Sequence, residues 1–119
     1  MRDVALTPLH ELDFYGELAR EAGPAVVVFT TPFCGSCKAV KAALALAQEA
    51  GKLPEGTRLY EVDAGESAGL TADLEVFHVP SLFLYRSDEF HAPIHAPPTA
   101  GALADAVQAA IAAPPQTPP

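Results

Sequence analysis

The chain has no tryptophan, a single methionine and only two cysteines in 119 residues. Two cysteines do not make the framework of a disulfide-stapled secreted scaffold. Cys34 and Cys37 are also close neighbours, and a bond closing so short a loop adds little through chain entropy. The pair therefore calls for a chemical reason. No apolar run is long enough to span a bilayer, which sets membrane partners aside. Residues 1–8 lack the apolar stretch of a signal peptide and reach an acidic residue at Asp3, so the expected location is the cytoplasm. Basic residues are scarce: seven Lys and Arg against fifteen Asp and Glu leave a formal net charge of −8. Such a surface repels phosphate backbones, and no nucleic-acid partner is expected. The same charge keeps a small domain in solution, and a monomer is expected.

Half of the residues are apolar, enough for one core at this length. Leu9, Leu12, Phe14, Tyr15 and Leu18 recur at roughly helical spacing and predict a helix over 9–22, stopped at Gly23-Pro24. The β-branched run 25–29 reads as a strand buried on both faces. Alanine, leucine and lysine then predict a helix from Cys34 to Ala50, ended by Gly51. A strand over 57–63 follows, with Leu59 and Val62 inward, and a short helix over 66–76. Residues 82–85 form another apolar strand, turning at 86–88 into a strand over 89–95 that Pro93 confines to a sheet edge. Thr99 caps a last helix to about Ala112, with Leu103, Val107 and Ile111 on one face. A weak signal near Leu6 allows a short first strand. Tyr60, Tyr85, Phe77 and Phe83 are assigned to the core; Glu61, Glu66 and Glu75 to a solvated face. The order predicts an α/β fold: a mixed sheet covered on both faces by helices and closed by a hairpin. One domain is expected over 1–112, with a disordered, proline-rich tail over 113–119.

The chemistry sits at Phe33-Cys34-Gly35-Ser36-Cys37-Lys38, where a buried strand turns into a helix. Cysteines at i and i+3 share a helical face, with β-carbons about 5–6 Å apart, close enough for a disulfide. At the helix N-terminus, unpaired N–H groups and the macrodipole favour an anion. A thiol so placed titrates at roughly 3.5–7.5 rather than near 8.5, and the thiolate is the species that attacks disulfides. Geometry makes Cys34 the attacking thiol and Cys37, one turn in, the resolving one. Lys38 adds at most a weak favourable field. The bland alternative is half of a zinc site completed by His91 and His95, which share a face of a strand; their distance along the chain and the intervening Pro93 argue against it.

Together these features resemble the thioredoxin family over roughly residues 5–112. The resemblance rests on the apolar strand before FCGSCK, on Val62-Asp63 ending the next strand, and on Val79-Pro80 before residues 82–85. It implies a thioredoxin-like fold and a cis Pro80 packed against the active cysteines. It also implies a backbone at Val79 that takes up an extended substrate peptide by strand addition. Phe33, Gly35 and Ser36 would join Val79 and Pro80 in binding substrate.

The chain departs from the family at four positions. Phe33 and Ser36 replace the usual tryptophan and proline of the motif. Ser36 adds an N–H and a hydroxyl near the sulfur, and a better stabilised dithiol makes a less reducing couple. Val28 and Leu59 stand where the family often carries a buried carboxylate and its lysine, which removes the usual proton acceptor for Cys37. His78 is the one histidine expected near the sulfurs. The resemblance implies a protein-disulfide reductase fed by a reductase of the flavin- and NADPH-dependent kind, with no bound cofactor of its own. The alternatives are a redox protein dedicated to one client, and a metal-binding or interaction module on the same scaffold.

Overall fold

A computed structural model of the chain describes residues 6–119. Five strands form one mixed sheet in the order β1-β3-β2-β4-β5. The strands are β1 (Thr7–Pro8), β2 (Pro24–Thr30), β3 (Arg58–Asp63), β4 (Ser81–Arg86) and β5 (Glu89–Ile94). The helices are α1 (Phe14–Leu18), α2 (Gly35–Glu49), α3 (Ala68–Asp73) and α4 (Ala100–Ala112). A 3-10 turn over Glu11–Asp13 leads into α1.

β2 lies at the centre, parallel to β3 and antiparallel to β4. Its residues 25–29 are fully buried because helices cover both sides, which is why the run is continuously apolar rather than alternating. Side chains of alternate parity serve two cores. Val26, Val28, Leu59 and Leu84 pack with Val40 and Leu44 of α2 and Leu103 and Val107 of α4. Val27, Phe29, Tyr60, Val62 and Phe83 pack with Phe14 and Leu18 of α1 and Leu70 of α3. Leu59 and Val62 are thus both buried, on opposite faces. Thr99 caps α4 as expected, its hydroxyl accepting from the Ala102 N–H at 3.2 Å. β5 is an edge strand, which is where its proline is tolerated.

Three expectations need correction. The first helix is shorter than 9–22: the Leu9 N–H donates to the Glu61 carbonyl at 2.8 Å, so Leu9 continues the strand-like run beside β3. The helix expected over 66–76 spans only Ala68–Asp73, and Glu75 beyond it takes a left-handed φ of 55°. Phe77, assigned to the core, is 87% exposed. The hairpin turn forms without glycine, with Ser87 accepting a left-handed φ of 52° and donating its N–H to the Gly23 carbonyl.

Two buried phenols make stability sensitive to alkali. Burial raises Tyr85 above the ordinary value near 10, and Tyr15 adds to the shift. Burial also raises Tyr60, against the opposing pull of Arg58. Above pH ~10 the unfolded chain loses these protons while the folded one keeps them, so stability falls as pH rises further. Urea unfolding is expected to give a lower midpoint at pH 11 than at pH 9. An unchanged midpoint would mean that the two hydroxyls are not shielded as described.

Candidate active site

The site forms at one end of the sheet because strand direction brings the pieces there. β2 and β3 run parallel and finish at this end with Thr30 and Asp63. β4 runs the other way and starts here, Ser81 standing opposite Phe29. The loop after Thr30 carries Phe33 and Cys34, and the segment before Ser81 carries Val79 and Pro80. The Val79–Pro80 peptide bond is cis.

Cys34 is the N-cap of α2, with extended backbone, and its sulfur accepts the Cys37 N–H at 3.1 Å. It is joined to Cys37 in a disulfide across a Cα–Cα distance of 5.2 Å. The helix thus presents the first sulfur at its positive end, where its free N–H groups point. The two sulfurs differ in access. Cys34 is half-buried, whereas Cys37 is 1% exposed. Phe33 is completely exposed beside them, and Gly35, Ser36 and Lys38 are also exposed. Val79 and Pro80 are half-buried.

Val28 and Leu59 are packed in the apolar core beneath α2. The polar pair on this side of the sheet lies elsewhere. Lys41 Nζ meets a Glu61 carboxylate oxygen at 2.9 Å, and the Thr30 hydroxyl donates to the same oxygen at 2.7 Å. Lys41 is one helical turn after Cys37, and Glu61 is the register partner of Val28. Glu61 is therefore not the freely solvated carboxylate expected of it. The signal was present in the i, i+4 spacing of Cys37 and Lys41 and in the shared parity of Leu59 and Glu61.

His78 lies just before the Val79–Pro80 step, exposed, and lines a hollow with Pro80. The zinc alternative does not assemble. The His91 ring is buried and donates from Nε2 to the carbonyls of Ala110 at 2.8 Å and Ala113 at 3.0 Å. Among the described residues no group of three or more His, Cys, Asp or Glu side chains is gathered to hold a metal. Nor is any helix among them long and apolar enough to cross a membrane.

A mixed sheet covered on both faces, with a disulfide-bonded cysteine pair at the tip of the central strand–helix junction, defines a thioredoxin-like domain whose site is built for thiol–disulfide chemistry. The chain belongs to the thioredoxin family, whose family model, thioredoxin, matches residues 5–109. No curated protein matches it. Among solved structures, the human ERp44 zinc-bound form superposes with a TM-score of 0.74 at 18% identity, covering 87% of this chain and 30% of that one. Human ERp44 form II gives 0.73 at 18% identity over 92% of this chain and 30% of that one. Form I gives 0.74 at 17% identity with the same coverage. This chain therefore spans about a third of the length of those proteins, and at such identity the likeness is one of fold.

Proposed function

We propose that this protein reduces disulfides in other proteins. The observation that carries the reading is the unequal pair: an accessible sulfur capping a helix, bonded to a buried one a turn later. In the reduced form the Cys34 thiolate attacks a target disulfide and releases one target thiol. Cys37 then gives up its proton and attacks Cys34, which frees the second target thiol and leaves the Cys34–Cys37 disulfide. The target gains two electrons and the protein loses two. Phe33, Gly35 and Ser36 flank the cysteines along the chain, Val79 and Pro80 lead into β4 at the same end of the sheet, and in this reading the five serve as the docking surface. An NADPH-dependent flavoprotein reductase is the class of donor that would return the electrons, and the cytoplasm is the compartment where a reductant of this kind works.

Insulin reduction coupled to a thioredoxin reductase tests the reading. The expected result is catalytic turnover, with a couple somewhat less reducing than about −270 mV because of Ser36. A protein whose disulfide cycles reversibly but ignores insulin would point to a single dedicated client. One whose cysteines do not cycle at all would end the proposal.

A further inference from the structure

The exchange cycle proposed above requires a buried group to lose a proton, and this inference rests on that cycle. Cys37 lies on the buried side of α2 with Val40, Ala43 and Leu44. A thiol in apolar surroundings holds its proton, so Cys37 can attack Cys34 quickly only where a base stands ready to accept it. Val28 and Leu59, packed on the sheet beneath α2, offer none.

The polar groups on that side of the sheet form one cluster. Thr30 ends β2 and is buried. Its hydroxyl donates to Glu61 on β3 at 2.7 Å. Lys41, one turn after Cys37, donates to the same oxygen at 2.9 Å. Side chains at i and i+4 of a helix are neighbours, with β-carbons about 5–6 Å apart. The cluster and the Cys37 sulfur therefore share the interface between α2 and the sheet. Both donors take Oε2, which leaves Oε1 for a further donor. Lys41 and Glu61 are partly exposed, so the cluster opens to solvent at its outer side. His10 and Asp13, ahead of α1, and Asp63 and Glu66, at and after the end of β3, line a hollow with Glu61. Asp63 is turned to its own loop, where one oxygen accepts the Gly65 and Glu66 N–H groups. Of these acids Glu61 is the one bonded to the helix that carries Cys37. Lys38 on α2 and His78 before β4 are also ionisable, and both are exposed.

We propose that Glu61, held in place by Thr30 and Lys41, takes up the proton of Cys37 in the second half of the exchange. The proton leaves the thiol and crosses to the carboxylate on a bridging water. The electron pair left on Cys37 forms the bond to Cys34. The bond between Cys34 and the target breaks, and its electron pair leaves on the target sulfur, which takes a proton from solvent. Glu61, partly open to water, then passes its own proton on.

The two halves of the exchange separate in one experiment. Reduced protein mixed with one equivalent of dithiobis-nitrobenzoate releases coloured thiolate in two phases, the first from attack by Cys34 and the second from attack by Cys37. Glu61→Gln keeps the shape of the side chain and an oxygen for Thr30 and Lys41. It is expected to leave the first phase unchanged and to slow the second about tenfold at pH 7. The gap should narrow above pH ~9, where solvent base removes a thiol proton without help. Lys41→Met breaks the tie between α2 and β3 but keeps the carboxylate, and is expected to retain most of the second phase. A second phase in Glu61→Gln as fast as in the parent would overturn the inference, as would a deficit of the same size at every pH. So would a loss in Lys41→Met as large as that in Glu61→Gln, which would make the tie rather than the base decisive. A parent protein without the first phase would instead end the exchange cycle itself.

Discussion

Serine at position 34 is expected to bring disulfide reduction down to the rate of the uncatalysed reagents, while serine at position 37 traps the reaction halfway. The two effects differ because the two sulfurs are placed differently. Cys34 is the sulfur that solvent and a substrate reach, and a hydroxyl there is neither ionised nor nucleophilic near neutral pH. Cys37→Ser keeps that sulfur and loses the one that completes the exchange. It should accumulate a mixed disulfide with insulin, visible as a mass increase of one target chain and released by dithiothreitol. Cys34→Ser should show no such adduct, because Cys37 is 1% exposed. Adduct formation on Cys34→Ser would reverse the roles assigned to the pair. Neither result should reflect unfolding. The crosslink closes a very short loop and is worth only about 2 kcal/mol in the chain-entropy view, and the comparison is made against the reduced parent.

The largest effect on stability is expected at Leu44. This side chain is fully buried on α2, packed over the central sheet alongside α4. Leu44→Ala removes buried methyl groups and leaves a cavity that a close-packed core does not fill, at a cost of about 2–5 kcal/mol. Domains of this kind are stable by only about 5–15 kcal/mol, so the melting temperature should fall by on the order of 10 °C. The residue lies two turns beyond Cys37 on the same face of α2. The folded fraction is therefore expected to keep its exchange chemistry at low temperature. A loss under ~1 kcal/mol in urea unfolding would mean that α2 does not sit on the sheet as described, and that the seat of the cysteine pair needs another explanation.

Much of this was legible from local pattern. The run 25–29 is apolar at every position because both of its faces are covered, and it emerges as the central strand. FCGSCK marks the strand–helix junction, and the structure places the N-cap of α2 at Cys34. Leu103 and Val107 line the buried face of α4. The misreadings share a cause. The spacing of Leu9 from later apolar residues fits a helix, but its partner is the Glu61 carbonyl, more than fifty positions away. An aromatic side chain such as Phe77 is expected in the core because such rings are mostly buried. It lines one hollow with Pro80 and stays exposed there because no element among the described residues covers its ring. Glu61 reads as solvated from local pattern because its companions, Thr30 and Lys41, come from two other elements.

What the residues determined on their own was whatever depends on neighbours within a few positions: strand and helix periodicity, the cap, and a cysteine pair one helical turn apart. What only the folded chain decided was which distant groups meet. The antiparallel return of β4 brings Pro80 to the tip of β2, Lys41 on α2 meets Glu61 on β3, and residues 114–119 run beside β5. Those meetings are set by strand order and helix direction, through backbone pairing and packing over long separations, and no short stretch of sequence encodes them.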